Sequence, residues 1–244
     1  MTKSPVADMD RDPAGADPRL FIQSVRKAMI VLEAFNADEP AMTLQQLTER
    51  TRLGRSATQR FVHTLEMLQY LKRDPKTLRY QLSNRAFLFV RSILSANSAL
   101  ERSFHLLSRL TEKTGETVSW LERDGGAAVV IGTVPSPNRT AIILPVGTRL
   151  GLPGSCAGLF LLDSSTPPSQ AMSDALARGW AMAEADLDRG SLSVAAPVRD
   201  VRGKIIAVIN VSILRDRMAP AEAQKLVVPA LLEVSQEASQ LLLG

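Results

Sequence analysis

The sequence predicts an α+β protein in two parts: a small winged helix-turn-helix, then an antiparallel sheet with helices segregated around it. Three observations carry this. The stretch from Leu53 to Leu82 reads as one polar-striped helix followed by a short basic hairpin. After about Thr117 the apolar pattern changes from helical spacing to strand-like runs. The positive charge is also confined to the first part. Arg19 to Arg91 holds 13 Lys+Arg against 6 Asp+Glu, Met1 to Pro18 holds 2 against 4, and Ser92 to Gly244 holds 14 against 15. A basic module beside a nearly neutral one is the footprint of a phosphate-binding unit joined to one that handles something else.

Met1 to Pro18 is rich in Pro and Asp, holds little that could be buried, and is expected to be a disordered arm. Val25, Ala28, Met29, Leu32 and Phe35 share one face of a first helix, which Asn36 to Pro40 breaks. Thr43 opens a second helix with Gln46 as its capping-box partner, and Leu44 and Leu47 face inward. Thr51 to Gly54 is the turn. In the third helix Arg55, Ser56, Gln59, Arg60 and His63 recur at i, i+1, i+4, i+5 and i+8, one polar stripe. Ala57, Phe61, Leu65 and Leu68 fall opposite and anchor it. Tyr70–Arg73 and Leu78–Leu82 are two β-like runs joined by Asp74-Pro75-Lys76-Thr77. A polar stripe with two Arg also suits a merely solvated face. The basic hairpin that follows favours a helix in the DNA major groove with a wing along the backbone.

Asn84 to Ser98 reads as a connecting helix with Phe87, Leu88, Ile93 and Leu94 as apolar positions. Ala99 to Thr114 is a further helix, marked by Leu100, Phe104, Leu107 and Leu110 and stopped by Gly115. Val118–Leu121 and Ala127–Ile131 form a hairpin about Asp124-Gly125-Gly126. Thr140–Val146 and Ser193–Val198 are expected strands, and Ile205–Ile213 pairs with the latter through Asp200 to Gly203. Ala219 to Leu243 closes the chain as a helix. The expected division is 1–18 arm, 19–83 winged helix, 84–98 connecting helix and 99–244 second domain.

Composition narrows the function. No apolar run reaches the roughly 18 residues of a membrane span, and the first residues lack a signal-peptide pattern, which predicts a cytoplasmic protein and no membrane partner. One cysteine, Cys156, excludes an internal disulfide, and two histidines far from it exclude a zinc site of the usual spacing. Nucleophilic catalysis needs a base beside its nucleophile, and no such pair, phosphate loop or GxSxG is present, so the chain is not read as an enzyme and no cofactor is expected.

Six stretches, in order, carry a family resemblance: SVRKAMIVLEAF, LTERTRLGRSATQRFVHTLEMLQYL, DPKTLRYQLSNRAFLF, LTEKTGETVSWLERDG, LPVGTRLGLPGSCAGLFLL and SVAAPVRDVRGKIIAVINVS. Over about Gln23 to Leu243 the chain resembles the IclR family of bacterial transcriptional regulators. The resemblance implies a winged helix, a linker helix and a GAF-like effector domain, in a homodimer or dimer of dimers on a palindromic double-stranded DNA operator. The wording QRF…HTLE…YL is most similar to members governing aromatic-acid catabolism.

Residue by residue, the resemblance places Arg55, Ser56, Thr58, Gln59 and Arg60 on the recognition-helix motif, with Arg60 at its near-standard Arg, and Tyr80 at the wing aromatic. Thr43, His63, Arg73, Lys76 and Arg79 complete the candidate DNA contacts; His63 equally suits an exposed helix end. Gly154, Ser155, Cys156, Ala157, Ser193, Asn210 and Ser212 are the candidate effector contacts. Hydroxyls, an amide and backbone N–H groups beside glycine suit a small organic acid, while Cys156 by itself suits simple packing at the pocket wall. Trp120 and Trp180 read as core or rim aromatics, and His105 as a structural residue.

Three departures from the family stand out. Arg52 replaces the usual Gly of the helix-turn-helix turn. Thr58 replaces an apolar residue. The segment between Leu162 and Gly179 is expected to be shorter than the family's by about a helix, with Asp163–Ser169 as a linker and the acidic pocket residue somewhere in Ala183 to Asp188. The alternatives are a sensor or interaction module without DNA binding, and a DNA-binding regulator that has lost ligand control.

Overall fold

The computed structural model describes residues 17–162, 169–184 and 190–242. The expected arm up to residue 16, the linker over 163–168 and residues 185–188 of the acidic stretch lie outside the described residues. The chain divides into two compact units, 1–93 and 94–244.

In the first unit, helices α1 (Gln23–Glu33), α2 (Leu44–Thr51) and α3 (Arg55–Met67) precede strands β2 (Leu71–Arg73) and β3 (Tyr80–Leu82). A two-residue strand β1 (Ala41–Met42), absent from the sequence reading, pairs with β3 and makes a three-stranded sheet in the order β1-β3-β2. The core is Val31, Ala34, Phe35, Met42, Leu47, Val62, Leu65, Leu71 and Tyr80. Burying each large apolar side chain of this set contributes roughly 1.5–3 kcal/mol.

Two apolar faces differ from expectation. On α1 the buried side runs through Ile30, Val31, Ala34 and Phe35, while Val25 and Met29 are exposed. On α3 it is Thr58, Val62 and Leu65, while Leu68 is exposed. Each expected face still supplies a core residue, Phe35 and Leu65, and Leu32 and Phe61 pack partly buried against the same core.

The capping box of α2 forms as expected. Thr43 Oγ1 accepts from Gln46 N at 3.2 Å, and Gln46 Oε1 accepts from Thr43 N at 2.9 Å. At the other end Arg52 caps α2 in the left-handed region, φ 55° and ψ 18°, its N–H bonded to Thr48 O. An L-residue there costs about 1–2 kcal/mol, which glycine avoids. After β3, a 3-10 turn (Asn84–Ala86) leads into α4 (Phe87–Ala96), which buries none of its residues.

The second unit is a six-stranded antiparallel sheet in the order β6-β5-β4-β9-β8-β7. Its strands are β4 (Thr117–Asp124), β5 (Ala127–Val134), β6 (Arg149–Gly151), β7 (Ala181–Glu184), β8 (Ser191–Arg199) and β9 (Ile205–Leu214). Helices α5 (Ser98–Thr114) and α8 (Pro220–Gln240) cover one face over the larger core, which includes Leu107, Leu110, Trp120, Val194, Ile209, Val211 and Leu231. Ion pairs Arg109–Glu237 and Lys113–Glu233 join the two helices.

The other face packs Leu121, Val130, Ala195 and Val208 against Leu152, Cys156, Ala157, Phe160 and Leu161. These come from a 3-10 turn (Leu152–Gly154), helix α6 (Gly158–Leu161) and the residues between them.

The expected strand over 140–146 does not form. Pro145 cannot donate to a ladder, and the segment is held to β5 by a side chain instead, with Leu144 O accepting from Thr133 Oγ1. In the segment read as shortened, residues 170–178 form α7 (Gln170–Arg178), capped by Ser169 Oγ at one end and by Gly179 at φ 78° at the other. Phe104 is exposed on α5, and His105 is exposed beside it rather than packed. Trp120 is fully buried and donates through Nε1 to Glu122 Oε1 at 2.7 Å, while Trp180 lies half-buried under Arg178.

Candidate nucleic-acid interface and buried polar face

Helix α3 presents Arg55, Ser56, Gln59, Arg60 and His63 to solvent along one stripe. Among the described residues neither the Arg55 nor the Arg60 guanidinium makes an ion pair or hydrogen bond. The first turn of α3 carries no acidic residue, and its cap, Gly54, offers no side-chain acceptor. Unpaired cations on a helix that fits a major groove are what recognition of DNA requires.

Two candidates stand elsewhere. Thr58 is fully buried and its hydroxyl donates to Gly54 O at 2.9 Å, so it locks the start of α3 instead of facing a groove. Tyr80 is buried in the core of the unit, with the Arg73 guanidinium 5.4 Å from its ring centroid. The aromatic thus supports the wing, and the exposed Arg73 lies over it.

Arg79 is committed as well. Its Nη1 donates to Ala41 O at 3.0 Å and to Gln46 Oε1 at 3.3 Å, which fastens β3 to the capping box of α2. Thr43, being part of that box, is a structural cap. Lys76 is exposed at the wing tip, where Asp74 Oδ1 accepts from Lys76 N and Thr77 N. Those two backbone donors, Thr77 first, hold the Asp74 carboxyl below its usual pKa. Lys72, exposed on β2, joins the wing cations and was missed, since simple alternation from Leu71 says too little on an edge strand.

In the second unit, strand alternation gathers polar side chains on the face away from α5 and α8. The register sets Ser119 opposite Asn210 and Thr117 opposite Ser212, and Ser212 opposite Ser193. All five are essentially buried. Asn210 Nδ2 donates to Ser212 Oγ at 3.0 Å, and Ser119 Oγ lies 2.6 Å from Thr133 Oγ1. Ser193 Oγ and Asn210 Oδ1 have no hydrogen-bond partner among the described residues. A buried polar atom left in this way costs about 1–3 kcal/mol.

The 154–158 segment closes over this strip, with Cys156 Sγ 3.7 Å from Ser193 O. Ser155 Oγ is spent locally, accepting from Gly158 N at 3.0 Å, and Ala157 is buried. Gly154 is exposed, with nothing within 4 Å of an added Cβ. Gly158 is the glycine that the packing demands, since a Cβ there would sit 1.9 Å from Leu152 O. Of the acidic stretch, Glu184 pairs with Arg215 at 2.5 Å, and its neighbour Ala183 is the residue opposite Ser193. Thr117, Ser119 and Thr133 were missed as site residues, although the T-V-S-W pattern places Thr117 and Ser119 together on one face.

A winged helix with a free cationic recognition stripe, joined to a separate sheet domain with a buried polar face, defines a DNA-binding transcriptional regulator with a second functional domain. Residues 24–75 match the IclR helix-turn-helix domain and 167–240 match the bacterial transcriptional regulator IclR C-terminal domain. The chain belongs to the IclR family of bacterial transcriptional regulators, whose similar members are regulators and not enzymes.

It is 25% identical to the Pca regulon regulatory protein of Pseudomonas putida, over 92% of this chain and 85% of that one. It is 24% identical to the p-hydroxybenzoate hydroxylase transcriptional activator of Acinetobacter baylyi, over 89% and 90%. In fold it is similar to an IclR homologue from Microbacterium hydrocarbonoxydans in complex with 4-hydroxybenzoate, at TM-score 0.76, 17% identity and coverage of 89% and 98%. An IclR-family regulator from Brucella abortus gives TM-score 0.76, 21% identity and coverage of 94% and 96%. Among the described residues no helix is long and apolar enough to cross a membrane.

Proposed function

We propose that this regulator binds a palindromic operator as a homodimer, or as a dimer of dimers, in the cytoplasm, and that a small organic acid bound in its second domain controls that binding. The observation that carries ligand control is the pair of unpartnered buried atoms, Ser193 Oγ and Asn210 Oδ1, on one strip with Ser212, Ser119 and Thr117. A hydroxyl donates to a carboxylate oxygen, and an amide oxygen accepts from a ligand hydroxyl or a protonated acid. Such a strip against the apolar wall of Leu121, Val130 and Phe160 suits a compact acid with an apolar body. The relatives that regulate aromatic-acid genes, and the structural neighbour holding 4-hydroxybenzoate, make aromatic acids the first class to test.

On the DNA side, Arg55, Ser56, Gln59 and Arg60 supply the groove contacts and Arg73, Lys72 and Lys76 the backbone contacts. Ligand would act by shifting the population between DNA-competent and DNA-incompetent states.

The test is thermal melting of the protein against aliphatic and aromatic carboxylic acids, 4-hydroxybenzoate included. A ligand that binds the native state raises Tm by mass action. The double variant Asn210→Ala/Ser212→Ala should lose that rise and keep its affinity for DNA. An unchanged rise in the double variant would move the ligand off this strip. No rise with any acid would leave a regulator without this kind of ligand control.

A further inference from the structure

We infer that Arg52, in the turn between α2 and α3, is a DNA phosphate contact that this chain has added at a position whose backbone favours glycine. The inference rests on the reading of α3 as the helix that enters DNA. Arg52 holds φ 55° and ψ 18°, a left-handed conformation disfavoured for any residue with a Cβ. Its structural duty is done by the backbone alone, through the bond from its N–H to Thr48 O. A glycine would make the same bond without the strain.

The side chain adds nothing to the fold that the described residues reveal. It is exposed, and among those residues no hydrogen bond, ion pair or ring contact engages its guanidinium.

The two other left-handed non-glycine residues among the described residues differ from it. Gln69 accepts from Arg85 Nη1 at 3.1 Å, so its side chain serves the fold. Leu78, at the wing tip, carries no group that a phosphate could take. Arg52 alone of the three is a free cation.

Its surroundings favour an anion. It stands three residues ahead of Arg55, the first residue of α3, with the exposed Gly54 between them. No carboxylate stands in the first turn of α3; on α2 Glu49 keeps its charge but is turned to Gln45 Nε2 at 3.0 Å and makes no ion pair with Arg52 among the described residues. Two unneutralised guanidinium groups at one end of the recognition helix make a local positive field. A partner with delocalised negative charge on several oxygens, repeated along a rod, satisfies a long guanidinium that has no fixed geometry of its own. One fold-based account competes with this. A cation at the C-terminus of α2 also suits the dipole of that helix.

The experiment compares wild type, Arg52→Gly, Arg52→Lys and Arg60→Ala by thermal melting and by titration with a mixed-sequence 40-base-pair duplex (about four helical turns) across a salt series. Arg52→Gly should melt at the same or a higher temperature, bind the duplex about three- to tenfold more weakly at low salt for each protomer engaged, and give a log–log salt slope shallower by about 0.9 per protomer bound. Arg52→Lys keeps both the charge and the Cβ and should retain the wild-type slope. Wild-type affinity and slope in Arg52→Gly would overturn the inference. So would a lower melting temperature in Arg52→Gly, which would assign the residue to the helix dipole. Arg60→Ala separates the two levels of the argument: if it binds normally, the reading of α3 fails, whereas weakened Arg60→Ala beside normal Arg52→Gly sinks the Arg52 assignment alone.

Discussion

Glu116 is a residue that the regulatory reading does not use, and its burial has a measurable consequence. It lies between Gly115, the cap of α5, and the first residue of β4, and is 1% exposed. Neither carboxylate oxygen has a hydrogen-bond partner among the described residues, and Arg217 Nε approaches only to 3.5 Å. Loss of hydration raises the pKa from its reference of 4.5, and the charge of Arg217 offsets this only in part. The folded state therefore keeps this proton to higher pH than the unfolded chain does. Stability from this group is fully present below about 4.5 and is lost as pH rises through the folded-state value. Glu116→Gln should flatten the decline of stability with pH above that reference, in denaturant titrations at a series of pH values. The same decline in the variant would place its origin in another group.

At the scale of elements, α6 shows how closely the segment over the polar strip is fitted. Gly158 starts this helix directly against the Leu152 carbonyl, and an added methyl would require the turn 152–154 and α6 to separate. Gly158→Ala should cost about 1–3 kcal/mol by overpacking, while Gly154→Ala, with open space around it, should melt as wild type. Equal melting of the two would show that the segment yields freely.

The same contrast explains what the sequence made legible. The GSCAG wording marked the segment that carries Cys156 and Ala157, but only the fold tells which glycine is pressed against backbone. The capping box of α2, the hairpin about Gly125 and the β8–β9 pairing were readable because each rests on neighbours within a few residues. Strand β1 was not, because two residues carry no period and their pairing with β3 is set 38 residues away. Thr58 falls on the recognition motif yet stands where the family has an apolar residue; its complete burial and its bond to Gly54 O give it to the fold.

For the whole molecule, the remaining anomaly is apolar surface in the DNA-binding unit. Helix α4 buries nothing, and Phe87, Leu88, Phe89 and Ile93 are each more than half exposed, as are Leu20, Ile22 and Val25 at the start of α1. Single exposed apolar residues are ordinary, but runs of this kind on a chain that must remain dissolved mark contact surfaces. Local contacts leave them largely uncovered: Phe89 stacks on Tyr70 at 5.7 Å and is still 57% exposed. A second copy of the chain is the occupant that the proposed palindromic operator calls for, because two-fold symmetric DNA is read by a two-fold symmetric protein. Phe87→Lys together with Ile93→Lys should leave the melting of each unit intact, since neither side chain is in a core. It should lower the mass seen in sedimentation toward that of the monomer. Affinity for a two-half-site operator should fall much further than affinity for a single half-site, because the second half-site is then no longer held at high effective concentration. A variant that stays dimeric and keeps its operator affinity would place the dimer contact elsewhere and leave the exposed face of α4 to another partner.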